Sequence, residues 1–346
     1  MIDTRFQELI NRELQRFFDR KRKESQKLDK RFPELINQIA DVTLRGGDRL
    51  RPYMCYLGYQ VGGGTDPEAI MFALLALELF HSFALIHDDI MDEANLRRGG
   101  PTIHAYFTQI LRKPHVAYSL ALLAGDLCAE WGQELFDKIT PSNPRTSLRG
   151  GEGELRSLFD QLRQEVILGQ TSDIWGMQGA TSDEIRQMYR YKSGNYSIQK
   201  PLLLGAGLAG VSASTMKQLA KYGEAVGLAF QLKDDWLGIF GDESTTGKAV
   251  GADIVEGKWT LLIAKAFQKL ANIDRQRLKN LLLSHQVTRE ELRWVRERLV
   301  TSGAKTSLED EMQNLVEAAK QAIVTLPKQV QKSLVQLAEF AITRRT

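Results

Sequence analysis

Apolar residues recur at intervals of three and four along most of the chain. The stretches "IDTRFQELINRELQRFF", "AIMFALLALELFHSFALI" and "MKQLAKYGEAVGLAFQLKDDWLGIF" each carry the spacing that places an apolar stripe on a helix. Alternating β-branched runs between tight turns, the mark of strands, are essentially missing. Breakers fall between the helical stretches, at "QVGGGTDP", "RRGGPT", "TPSNPRTSLRGGEGE" and "GDESTTGKAVGAD". Two helix starts are marked: Asp66 as a cap with Pro67 in the first turn, and Thr181 as a cap with Glu184 three residues on. Residues 141–153, rich in Pro, Gly and Ser, read as an exposed connection. It is too short to require a domain boundary, because helical patterning resumes at "ELRSLFDQLRQEVILGQ". No repeat at a solenoid period is visible. The pattern predicts an all-α fold: a single domain over residues 1–346, one bundle with peripheral helices.

Composition changes this picture little. The 346 residues are 43% hydrophobic and 26% charged, with a net charge of +3, ordinary for a globular protein with a substantial core. That charge gives no sign of nucleic-acid binding. Cys55 and Cys128 lie in apolar segments, without the paired spacing of a disulfide framework or a zinc site. The start, "MIDTRFQELINRELQRFFDRKRK", has no apolar signal core. No uninterrupted apolar run approaches the length of a membrane span, so the expectation is a chain of the reducing cytoplasm. The charge run "FFDRKRKESQKLDKRF" reads as a solvated helix face. His87, next to Asp88, reads as a support for the acidic motif or as structural, Met91 and Phe83 as core, and Trp236 and Trp259 as core or cavity rim.

Charged residues inside apolar helices need an account. In "HDDIMD", Asp88 and Asp92 share a helical face about 6 Å apart along the axis. Like charges at that spacing repel unless a cation lies between them, so either the helix ends in solvent there or the carboxylates hold a cation. Mg²⁺ suits such a site, being bound by one or two carboxylates, waters and substrate phosphates. A second paired cluster, Asp234 and Asp235, follows another apolar helix, with Gly241, Lys248, Asp253 and Lys258 after it. Two such clusters in an all-helical chain could face each other across a bundle core, with Lys and Arg beside them binding phosphate. A third cluster sets Arg45, Arg49 and Arg51 around a Gly pair: a basic loop at a helix start, or an anion site.

Together and in this order, "GGDRLRP", "DDIMDEANLRRGGPTIH", "YKSG" and "QLKDDWLGIFGDESTTGKAVGADIVEGK" resemble the trans-isoprenyl diphosphate synthases, the polyprenyl synthetase family. The resemblance spans roughly residues 40–265. It implies an isoprenoid-synthase bundle of antiparallel helices around a central cavity, in a homodimer. It implies that Asp88, Asp89 and Asp92, with Asp234 across the cavity and Asp235 in support, ligate up to three Mg²⁺ (Mn²⁺ able to substitute) that bridge an allylic diphosphate. Arg97, Lys192, Lys248 and Lys258 would clamp that diphosphate. Arg51, His81 and Arg98 would hold isopentenyl diphosphate, and Gln231 and Ser193 would line the cavity near the forming carbocation. Ser193 stands where the family usually has Thr. No Ser/His/Asp or Cys/His signature is present, and this chemistry needs none: the allylic C–O bond ionises in a dry pocket, the isopentenyl double bond attacks, and a proton is lost.

Two positions depart from the family pattern. Gly238 stands where many members have a third Asp. Asp48, in the isopentenyl diphosphate loop, stands where the family almost always has Lys. Asp48 favours a second reading, an ionising cyclase of the same fold, against which Arg51 and His81 speak. A third reading, a non-catalytic partner of a heteromeric synthase, conflicts with the intact "DDIMD". One ring, Phe83, five residues before Asp88, with the small Ala84 after it, resembles the pattern of twenty-carbon producers. The expected product is geranylgeranyl diphosphate, with farnesyl diphosphate as the alternative.

Overall fold

The computed structural model describes residues 2–139, 152–241, 251–284 and 286–344. The connection expected at 141–153 lies almost wholly outside the described residues, and Lys248 lies outside them. The regular elements among the described residues are helices save for one short ribbon, and the chain divides into two compact units: residues 2–152 with 204–210, and residues 153–203 with 211–346.

The first unit holds α1 (Thr4–Gln26), α2 (Phe32–Leu44), α3 (Leu50–Val61), a 3₁₀ turn (Pro67–Ile70), α4 (Met71–Met91), β1 (Leu96–Arg97), β2 (Gly100–Pro101), α5 (Ile103–Leu111) and α6 (Pro114–Phe136). Asp66 caps as its sequence signal indicates, accepting the Glu68 N–H at 2.9 Å. The centre is α4, which packs along α6 and against α3. Its apolar residues point in every direction and are buried (Leu74, Ala76, Leu77, Leu79, Phe80), the pattern of a helix enclosed by others. The segment Pro67–Met91 is long and apolar enough to cross a membrane by length and composition, which no run in the sequence suggested. It is nonetheless mostly buried, and it carries the buried charged residues Glu78 and Asp89. Met91, expected in the core, is 47% exposed, because α4 ends there.

The second unit holds α7 (Glu152–Trp175), α8 (Ser182–Tyr189), a π-helical segment (Arg190–Gln199), the first half of α9 (Lys200–Leu208), α10 (Ala213–Phe240), α11 (Ala252–Val255), α12 (Leu261–Lys269), α13 (Asn272–Ser284), α14 (Arg289–Thr301), α15 (Ala304–Ala322) and α16 (Lys328–Thr343). Thr181 and Glu184 form the expected capping box at the start of α8. The axis of this unit is α10, which packs against α15, α16 and the π-helical segment. Its fully buried Tyr222 donates to the Leu334 carbonyl at 2.8 Å. Trp259 is buried in this core; Trp236 is partly buried against it and donates to Glu309 at 2.9 Å.

Candidate active site

In the first unit, the acidic motif occupies the C-terminal end of α4, where Asp92 is the cap residue. That end carries the negative pole of the helix dipole, so three carboxylates there are unfavourable without a cation. Arg97 supplies one: its Nε donates to Asp89 at 2.7 Å and its Nη2 reaches Asp88 at 3.5 Å. Asp89 is 2% exposed. Burial pushes its pKa up to about 6 against the charge and hydrogen bond of Arg97, with Asp88 and Asp92 adding to the rise. The His87 ring lies against Phe83 at 4.7 Å and its Nε2 is 3.0 Å from the Leu122 carbonyl.

The basic loop and the segment after the acidic motif come together. The ribbon pairs Leu96 with Pro101 and Arg97 with Gly100, and its turn, Arg98 and Gly99, has positive φ at both residues, as a tight two-residue hairpin requires. This turn sends two consecutive arginines to different places. While Arg97 reaches the carboxylates, Arg98 donates to the carbonyls of Arg45 and Gly46 at 3.2 and 3.1 Å. Gly47 (φ +97°) makes room for it, since a Cβ there would lie 2.8–3.0 Å from the Arg98 guanidinium.

Arg49, Arg51, Arg97 and Arg98 all direct positive charge at His81, on α4. Burial and then those arginines hold the His81 pKa well below its usual value, so the ring is neutral at pH 7. Burial and the same cluster lower Arg98, with Glu78 opposing.

The three arginines of the basic loop have different destinations. Arg49, held in a left-handed conformation (φ +54°), is buried and donates to Glu78 at 2.7 Å, to Asn11 at 2.8 Å and to the Thr43 carbonyl at 2.9 Å. Arg45 pairs with Asp41 and donates to the Arg97 carbonyl at 2.9 Å. Arg45 and Arg49 therefore shape the loop and do not draw the Asp48 carboxylate aside. Asp48 is exposed and its carbonyl accepts from Gln7 at 3.2 Å.

In the second unit, Lys192 and Ser193 lie on the π-helical segment, where i→i+5 bonding adds a residue to the turn and often marks a functional site. That segment lies close to α10 because Gly194 meets Gly227, where a Cβ would come within 2.6 Å of the Gly194 Cα. Lys192 pairs with Asp173 of α7. On α10, Gln231 and Asp234 are half-buried. Asp234 pairs with Arg344, whose guanidinium also donates to the Phe230 carbonyl at 3.0 Å.

Asp235 differs from Asp234. It is 3% exposed and accepts from the Tyr189 hydroxyl at 2.7 Å and the Leu261 N–H at 3.2 Å. Burial, with the charges of Asp253 and Asp234, pushes its pKa well above the carboxylate range. Burial acts to lower the Lys258 pKa, but Glu256, Asp253 and Asp173 outweigh it and lift it to about 12.

Among the described residues no three His, Cys, Asp or Glu side chains gather as a preformed metal cage. The donors offered by the two motifs are carboxylate oxygens alone. That set fits Mg²⁺, which takes one or two carboxylates from the protein and completes its shell with water and phosphate, and it does not fit zinc.

Four of these contacts bring in partners with no place in the motifs: Glu78 for Arg49, Asp173 for Lys192, Arg344 for Asp234 and Tyr189 for Asp235. Only Glu78 left a signal, as a lone charge in the apolar run "LLALELF".

The chain is 34% identical over 277 residues to a short chain isoprenyl diphosphate synthase of Methanothermobacter thermautotrophicus (75% of this chain, 78% of that one). It is 31% identical over 327 residues to a geranylgeranyl diphosphate synthase of Sulfolobus acidocaldarius (90% and 92%). Its fold matches the crystal structure of a Corynebacterium glutamicum geranylgeranyl pyrophosphate synthase complexed with isoprenyl diphosphate and magnesium, with a TM-score of 0.88 and 30% identity over 100% of both chains. The all-α isoprenoid-synthase fold is thereby established. The polyprenyl synthetase pattern matches residues 33–299, further in both directions than the motifs alone reach, and the chain belongs to the polyprenyl synthetase family.

Proposed function

We propose that the chain is a Mg²⁺-dependent trans-prenyltransferase that condenses isopentenyl diphosphate with an allylic diphosphate, giving geranylgeranyl diphosphate. The observation that carries this reading is the split of Arg97 and Arg98. One two-residue turn joins a carboxylate cluster that needs a cation to an arginine cluster that needs an anion. A diphosphate with Mg²⁺ satisfies both. No observation favours a cyclase or a non-catalytic subunit.

Asp88, Asp89 and Asp92 on α4, and Asp234 on α10, would supply oxygens to as many as three Mg²⁺, with Mn²⁺ able to substitute. When bound, the metal offsets the charge of the departing diphosphate. Asp89 shares its carboxylate with Arg97, and Asp234 with Arg344, so both are already placed for a cation. Asp235, committed to Tyr189 and Leu261, positions Asp234 and the start of α12.

Arg97, Lys192 and Lys258 hold the allylic diphosphate, and Lys248 joins them in this reading. Lys258, with its raised pKa, stays charged throughout the neutral range. Arg51, Arg98 and His81 hold isopentenyl diphosphate. A neutral His81 donates one N–H to phosphate and adds no charge to the arginines around it. Gln231 and Ser193 present uncharged oxygens to the cation that forms when the C–O bond breaks, and the lost proton leaves with the diphosphate.

Phe83 and Ala84 close the tail path one turn before the acidic motif. Phe83 is fixed there between Phe80, at 5.1 Å, and His87, at 4.7 Å.

We further propose one functional domain over residues 1–346, since the family pattern runs through both compact units. Val116, Leu122 and Leu123 of α6, with Ile110 and Leu111 of α5, are exposed; such an apolar face fits a second copy of the chain in a homodimer. The two buried free thiols suit a reducing cytoplasm. Asp88→Ala and Asp234→Ala should each lower turnover by orders of magnitude, and EDTA should abolish it. Full turnover in EDTA would sink the metal-dependent reading.

A further inference from the structure

Gln161, Glu165, Gly169 and Asp173 recur at every fourth residue of α7, so they lie along one slowly turning face about 18 Å long. All four meet the π-helical segment or the residue that follows it. Lys200, the first residue of α9, is 7% exposed and donates to Gln161 at 2.9 Å and to Glu165 at 3.2 Å. The other oxygen of Glu165 accepts from Asn195 at 2.9 Å. At Gly169 the two backbones meet, since a Cβ there would lie 2.7 Å from the Lys192 Cα. Asp173 then pairs with the Lys192 ammonium. The face of α7 thus runs antiparallel to the segment and ends on Lys192.

The segment is also pressed against α10. A Cβ on Gly223 would lie 2.6 Å from the Gln199 Cα, and one on Gly227 2.6 Å from the Gly194 Cα. Close packing on two helices fixes where the segment lies but not its register. A π turn holds one residue more than an α turn, and relaxation to α-helical bonding would rotate Lys192 away from Asp173. Glycine contacts do not resist that rotation. Glu165 does, because it ties Asn195, inside the π turn, to Lys200, where α-helical bonding resumes. A buried ammonium cannot leave its carboxylate without cost, so Lys200 holds this tie in place.

We propose that Glu165 is a positioning residue for Lys192: through Asn195 and Lys200 it locks the register of the π-helical segment, and α7 thereby sets where the Lys192 ammonium stands. The proposal rests on the reading of Lys192 as a ligand of the allylic diphosphate. Glu165 acts on that substrate only through the backbone that carries Lys192.

Two measurements on the full chain test this. One is hydrogen–deuterium exchange over residues 190–199; the other is calorimetric binding of farnesyl diphosphate with Mg²⁺ and no isopentenyl diphosphate. Glu165→Ala should speed exchange in that segment by about tenfold and weaken farnesyl diphosphate by about tenfold. Asn195→Ala leaves the Lys200–Glu165 pair intact and should shift both in the same direction, so the test stands even if Glu165→Ala does not fold. In a Lys192→Ala background neither substitution should weaken binding further. A general loss of stability would not produce that non-additivity.

Wild-type exchange over residues 190–199 in folded Asn195→Ala would overturn the proposal. So would a loss of farnesyl diphosphate affinity that is equally large with and without Lys192. Lys192→Ala alone separates the two layers. If it weakens binding while the Glu165 and Asn195 variants do not, only the positioning role falls. If it leaves affinity unchanged, the reading of Lys192 as a diphosphate ligand falls and takes the proposal with it.

Discussion

Glu78→Gln is the sharpest perturbation of the anion site that leaves every substrate-facing group in place. Glu78 and Arg49 are each 2% exposed and 2.7 Å apart. Gln keeps the volume of Glu and can still accept a hydrogen bond, but it removes the charge that neutralises a buried guanidinium. Breaking a buried pair from one side costs about 3–5 kcal/mol, a large share of the roughly 5–15 kcal/mol that holds a domain folded. The remaining hydrogen bonds to Asn11 and Thr43 satisfy donors without offsetting charge. Arg51, Arg97 and Arg98 add repulsion from the same neighbourhood, so the cost should fall toward the upper half of that range. Urea unfolding followed by tryptophan fluorescence gives the loss directly. Repeating it with inorganic diphosphate adds a second reading, because an anion bound only by the folded state stabilises it and should do so more in the variant than in wild type. A variant within about 0.5 kcal/mol of wild type, with no extra response to diphosphate, would refute the view that Glu78 sets the charge of this cluster.

Three further outcomes follow from the same geometry. Asp48→Lys should lower the KM for isopentenyl diphosphate by up to about tenfold, since a unit charge about 5 Å from another is worth roughly 3 kcal/mol at an effective dielectric of about 20 and exposure screens most of that; the allylic KM should barely move, and two unchanged constants would place Asp48 away from the site. Phe83→Ala should lengthen the product, and an unchanged chain-length distribution would put the floor of the tail path elsewhere. His81 resists protonation in the folded state, by burial and then by its arginines, so below its ordinary pKa of 6.5 the unfolded chain binds a proton that the folded chain does not. Stability should therefore fall as pH drops below that value, and His81→Gln should flatten the slope; an equal slope in the variant would assign it to other groups.

The helical stripes of α1, α4 and α10 and the caps at Asp66 and Thr181 were legible because each is set by residues within a turn or two of one another. The π-helical segment was not, since what holds it is the meeting of Gly194 with Gly227, 33 residues away in sequence. The ribbon at Leu96–Pro101 hid for a related reason: "RRGG" reads as a breaker, and only the positive φ of Arg98 and Gly99 turns it into a hairpin that parts two arginines. Within the site, the motifs named the charged residues and left their partners unnamed. Arg45 and Arg49 read as either a basic loop or an anion site, and the structure gives them to Asp41 and Glu78; Asp235 read as a support for Asp234, and its burial against Tyr189 was not legible. Charge is written in a sequence; its neutralisation is a tertiary fact. Met91 shows the same limit for apolar residues, because where α4 stops decides its exposure.

The central claim is condensation of two diphosphates at a Mg²⁺-dependent site. Purified protein should be incubated with Mg²⁺ and an allylic diphosphate, with and without isotopically labelled isopentenyl diphosphate, and the products resolved by chain length. The account predicts a labelled twenty-carbon prenyl diphosphate formed only when both substrates and Mg²⁺ are present. Consumption of the allylic diphosphate alone, to cyclic or hydrolysed products, would contradict it.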